Sequence, residues 1–104
     1  MNLADYYPEL IRQLPEYEGR FSANKLQANN CDVLFATYPA GTAIETHQHE
    51  TENIGVITKG KLLLTMDGKT LEISAGDWYH VPANKPHSAE FSEDTAEIEF
   101  WFHS

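Results

Sequence analysis

The sequence is poor in cysteine, poor in positive charge and free of long apolar runs, and each shortage excludes something. Among its 104 residues Cys31 is the only cysteine, so an intramolecular disulfide and a multi-cysteine zinc site are both impossible. Seven Lys and Arg stand against sixteen Asp and Glu, a formal charge of −9. No basic stripe is available for nucleic acid, and anionic membranes repel such a chain. The longest purely aliphatic run is Leu62 to Leu64, far below the ~20 residues of a membrane-spanning helix. The first twenty residues lack a cationic start followed by an apolar run, so no secretory signal is expected. These features predict a soluble, cytoplasmic, single-domain protein with neither nucleic-acid nor membrane partners.

What is present reads as β-structure. Cys31–Tyr38 is rich in β-formers and meets a turn at Pro39-Ala40-Gly41. Strands are expected over 42–49, 54–58, 61–66, 69–74, 78–81 and 96–102, with Asp67-Gly68 as a hairpin turn. Turn signals recur roughly every 8–12 residues, the spacing of an all-β sandwich or barrel. Residues 1–30 differ. Asp5 is expected to cap a short helix with Leu10, Ile11 and Leu14 as its apolar stripe, ended by Pro15. The chain thus divides into an N-terminal helical extension (1–30) packed on a barrel (31–104).

His47 and His49 stand two apart. On a strand they share a face and can converge on one ion, whereas on a helix they would diverge. The stretch Gly41-Thr-Ala-Ile-Glu-Thr-His47-Gln-His49, with Asn53 and Gly60 following, resembles the first motif of the cupins. Gly76-Asp-Trp-Tyr-His-Val-Pro82-Ala-Asn84-Lys-Pro-His87 resembles the second. Order and spacing match without insertion. The resemblance implies a cupin double-stranded β-helix, a jelly-roll barrel of the RmlC-like type. It also implies one divalent metal ion (Zn, Mn, Fe or Ni) held at the mouth by His47, His49, position 53 and His87. The pattern has Glu at position 53 where this chain has Asn53, and Gly where it has Asn84. Asn tolerates a positive φ, and a neutral amide oxygen leaves the cation its full charge. Glu52 is the alternative ligand, disfavoured by strand parity.

Other groups carry alternatives. His80 is expected to be a partly buried, hydrogen-bonded strand residue, or else to line the mouth. Glu97 and Glu99 are expected on the polar outer face of the last strand; the alternative puts Glu99 inside as a general acid or base. His103 has no expected role. The resemblance implies Lewis-acid activation of a small carbohydrate- or carboxylic-acid-like molecule, and a homodimer. A non-catalytic ligand-binding module and a metal-free structural barrel are the alternatives.

Overall fold

The computed structural model describes residues 2–103. Its strands in chain order are β1 (Ser22–Ala28), β2 (Cys31–Tyr38), β3 (Thr42–His47), β4 (Glu52–Lys59), β5 (Lys61–Met66), β6 (Lys69–Ser74), β7 (Trp78–Val81), β8 (His87–Phe91) and β9 (Thr95–Phe102). Two antiparallel sheets face each other. One has the order β1-β2-β9-β4-β7 and the other β3-β8-β5-β6. This is the jelly-roll barrel expected from the sequence. Asp67 and Gly68 close the β5–β6 hairpin with φ of 52° and 73°, the two positive values that a two-residue turn of this hand demands.

Alternation along β2 fixes the interior. Leu34, Ala36 and Tyr38 are buried, and between them Val33, Phe35 and Thr37 are half-buried on the outer face. Ile57, Leu62, Leu64, Ile73, Val81 and Phe91 complete the core. The Tyr38 and Phe91 rings stack at 4.0 Å between the sheets. No helix among the described residues is long and apolar enough to cross a membrane.

The N-terminal stretch departs from expectation. Asn2, not Asp5, caps a 3-10 turn over Leu3–Asp5, its side chain accepting from the Ala4 N–H at 3.1 Å. The single α-turn α1 (Glu9–Arg12) starts after Pro8. Leu10 is 79% exposed while Ile11 and Leu14 are half-buried, so the expected stripe docks this segment only in part, and none of it is in the core. An aromatic anchor does the rest. The Tyr7 ring packs edge-on against Phe35, and its hydroxyl lies 2.8 Å from the carbonyl oxygens of both Ala36 and Glu97. Ser22–Ala28, read as part of the extension, is an edge strand in register with all of β2's first seven positions. Its composition, SANKLQA, has no β-branched residue to announce it.

Candidate metal centre

Ile44 and His47 bracket an irregularity in the β3–β8 pairing, after which His47 faces His87 across the two strands. His49 lies two residues beyond, just past the end of β3. Asn84 takes a φ of 62°, as its motif position requires, and bends the loop that delivers His87. The candidate ligand atoms of His47, His49 and His87 then all lie within 4.8 Å of one another. The Nε2 atoms of His47 and His49 are 3.1 Å apart. Nitrogens held about 2.1 Å from one ion would be separated by about 3.0–3.4 Å.

The other ring nitrogens supply a test of fit. His47 Nδ1 lies 2.8 Å from the Glu45 carbonyl oxygen, and His87 Nδ1 lies 2.9 Å from that of Lys85. A carbonyl only accepts, so each Nδ1 carries the proton and each Nε2 presents a lone pair to the common space. Burial, reinforced by His47 and His87, lowers His49 to about 4. Burial also lowers His87, against an opposing hydrogen bond to Lys85. Neutral imidazoles with converging lone pairs are the donor set a divalent cation takes.

Position 53 resolves the parity question in the geometry. Asn53 is 6% exposed and lines the same cavity as the three histidines. With its amide nitrogen donating to the carbonyls of Glu52 (3.2 Å) and Thr51 (3.3 Å), its oxygen is turned away from them. Glu52 points outward, 2.7 Å from His80 Nε2. That contact also places His80, which is exposed and lies outside the mouth; its expected partial burial does not hold. His103 has a partner as well, Asp32 at 3.0 Å.

The largest departure concerns β9. Glu97 and Glu99, expected on the outer face, point into the barrel at 2% and 8% exposure. Ile98, Phe100 and Phe102 take the outer face instead. The alternation was legible, but its direction was inverted. Tyr38 donates to Glu99 Oε2 at 2.7 Å, Trp101 Nε1–H donates to Glu99 Oε1 at 3.1 Å, and the Tyr79 hydroxyl donates to Glu97 Oε1. Those donors make the inward orientation tolerable. No Lys or Arg lines this cavity. Burial raises both carboxyls, Glu97 most, and the neighbouring Glu99 charge pushes Glu97 further. Inverting an outward-polar rule requires knowing that tyrosines from β2 and β7 wait inside, and no local pattern announces that.

The space between triad and carboxyls is small, about 50 Å³. A second cleft of about 350 Å³ lies over the mouth, lined by Tyr17, Arg20, Phe21, Ile44, His47 and His49. Trp101 joins the two regions: its ring lies 4.8 Å from His49 and 5.8 Å from Tyr17.

A family model described as a cupin domain matches residues 34–102. The chain is 34% identical over 90 residues to H2HPP isomerase of Bacillus subtilis, covering 86% of this chain and 37% of the relative. It is 36% identical over 67 residues to the HTH-type transcriptional regulator PuuR of Escherichia coli, covering 64% of this chain and 35% of that one. It therefore spans about a third of the length of these relatives. The solved structure of KdgF from a Halomonas species superposes with a TM-score of 0.78 at 18% identity, covering 96% of this chain and 95% of that one.

Proposed function

The chain belongs to the cupin domain family, and from that premise we propose that it is a metal-dependent cupin acting on a small oxygen-bearing acid or sugar-like molecule. One observation carries the reading: three imidazole nitrogens lie within 4.8 Å of one another at a barrel mouth, and in two of the rings a carbonyl takes the Nδ1 proton and leaves Nε2 free to ligate. His47, His49 and His87, with the Asn53 amide oxygen, would hold one divalent ion. When bound, that ion supplies Lewis-acid polarisation of a substrate oxygen. The protein's own residues do the rest. The aromatic side chains of Tyr17, Phe21 and Trp101 shield the mouth from water and give a planar substrate a face to lie on. Glu99, fixed by Tyr38 and Trp101, is placed to take or return a proton below the mouth.

The likeness to the B. subtilis isomerase favours proton-transfer chemistry of this kind. The likeness to a transcriptional regulator favours a second reading, in which the same pocket holds a ligand without turning it over. A homodimer formed through the outer face of the five-stranded sheet completes the proposal. Trp78 and Phe100 stack on that face at 6.2 Å, Phe100 and Phe102 at 6.5 Å, with Ile54 and Val56 beside them. Ile54, Val56, Ile98 and Phe100 give this face an uncharged centre, with Glu52 and His80 paired to each other at its edge beside Phe102, although the chain's net charge is −9. Two copies of so acidic a protein meet at least cost where each presents an apolar centre and its edge carboxylate already has a partner.

Elemental analysis of purified wild-type and His47→Ala protein tests the metal. Stoichiometric metal in the first and loss in the second is expected, and a metal-free wild type after loading would sink the proposal. A screen over 2-oxo acids and unsaturated uronates then separates enzyme from binder, with Glu99→Gln expected to abolish turnover while leaving bound metal unchanged.

A further inference from the structure

Four of the seven cations of this acidic chain are occupied. Arg12, Lys25, Lys61 and Lys85 each sit in an ion pair with a carboxylate. Arg20, like Lys59 and Lys69, has no such partner among the described residues, and of these three it alone lines the cleft at the mouth. Its side chain is exposed, and the backbone that carries it is braced. The Tyr17 N–H donates to the Ala23 carbonyl at 2.9 Å and the Lys25 N–H to that of Pro15 at 2.8 Å, closing residues 17–23 into a short strap beside β1. Within the strap, Tyr17 lies so tightly on Gly19 that a Cβ there would collide with the ring. Tyr17 also packs on Phe21 at 4.8 Å. The strap is thereby folded over the mouth, and Arg20 lines the same 350 Å³ cleft as His47 and His49. Burial and the Glu99 charge raise the Tyr17 hydroxyl, and the Arg20 charge opposes them, so the guanidinium acts within this aromatic cluster.

We infer that Arg20 is the specificity residue for a substrate carboxylate, which it grips at the mouth while the other end of the molecule faces the three histidines. The inference rests on the proposed metal-dependent reading and names its substrate class, a small carboxylate. Two features on opposite sides of the cleft agree. A guanidinium fork matches a carboxylate in two parallel hydrogen bonds. The donor set of three imidazoles and an amide adds no negative charge that would repel an anion. A protein carrying −9 repels anions in general, so an unpaired cation at the histidine-lined opening is a local exception that lets one in.

The test titrates the full chain with pyruvate, methyl pyruvate and methyl phosphate by calorimetry, with and without added Mn²⁺, in wild type, Arg20→Gln and Arg20→Lys. Arg20→Gln is expected to weaken pyruvate roughly 10- to 100-fold, the scale of a lost charged hydrogen-bond pair, leaving methyl pyruvate and bound Mn²⁺ unchanged. Arg20→Lys should fall between. Equal pyruvate affinity in wild type and Arg20→Gln overturns the assignment, as does absence of pyruvate binding to wild type or a preference for methyl phosphate. Failure of the wild type to take up Mn²⁺ sinks the metal reading alone. Loss of pyruvate affinity in unloaded Arg20→Gln would then still support the role of Arg20.

Discussion

Asn84 donates its backbone N–H to the carbonyl oxygen of His49 across 2.7 Å. The loop that delivers His87 is thus tied to the loop that delivers His49, and the geometry of the triad depends on Asn84 holding a φ of 62°. A β-branched residue resists that conformation, which costs an ordinary residue roughly 1–2 kcal/mol. Asn84→Gly is therefore expected to leave stability nearly unchanged. Asn84→Val should lower it by about 1–2 kcal/mol and weaken metal retention. Denaturant midpoints and elemental analysis of the two variants check this, and equal midpoints would show that the turn is not strained.

Gly55 exists to let Tyr79 past. A Cβ at position 55 would collide with the edge of the Tyr79 ring, which lies against β4 on its way to Glu97. Overpacking of this kind costs about 1–3 kcal/mol, so Gly55→Ala should destabilise by that amount. Tyr79→Ala removes the obstacle. In a double-mutant cycle the Gly55→Ala penalty should shrink sharply in the Tyr79→Ala background; additive penalties would mean the glycine serves some other purpose.

The inward carboxyls make stability depend on pH in a direction opposite to the histidines. Glu97 is raised in the folded state by burial first and by Glu99 second. Its contribution is present in full below the ordinary carboxyl range and fades as pH climbs through the raised folded value. His49, lowered to about 4 by burial and its imidazole neighbours, contributes above pH 6.5 and loses its share as pH falls toward 4. Glu97→Gln removes the titrating group but keeps an acceptor for Tyr79. It should flatten the decline on the alkaline side and raise stability at neutral pH, while leaving the acid limb in place. Thermal melts across pH in metal-free protein read both limbs, and an unchanged alkaline slope would show that Glu97 ionises as freely folded as unfolded.

How much of this was legible in the sequence follows physical locality. The β2, β5, β6 and β7 bounds match the pattern and turn signals residue for residue, because alternation and the Asp67-Gly68 turn are local. The triad was legible from motif spacing, and the positive φ of Asn84 from the chemistry of Asn. β1 and β8 were not. SANKLQA and HSAEF carry weak propensity and become strands through pairing with β2 and with β3 and β5. The direction of β9 was also hidden. Period-two alternation gives two faces, and the usual rule puts Glu outside; Tyr38, Tyr79 and Trp101, far apart in sequence, supply donors that reverse the choice.

The apolar outer face predicts association. Trp78 is 62% exposed and Phe102 41%, on the same sheet surface as Phe100. Substituting Phe100→Glu puts like charges face to face if two copies meet there, which costs several kcal/mol in a packed interface. Sedimentation should then show a dimer for wild type and a monomer for the variant. A monomeric wild type at tens of micromolar would remove the homodimer from the proposal.

On the proposed metal reading, Asn53 would separate affinity from reactivity. It is buried beside the triad and would offer a neutral amide oxygen where the family motif has a carboxylate. Ligand charge count is a main determinant of cation affinity. Asn53→Glu is therefore expected to tighten divalent-metal retention by about tenfold or more, measured by competition with a chelator. The same change puts a negative charge on the path of an incoming carboxylate, so pyruvate affinity should fall as metal affinity rises. A rise in both would mean that the amide has no part in admitting an anion. No change in either would place position 53 outside the coordination sphere, leaving three imidazoles as the whole of the protein's hold on the ion.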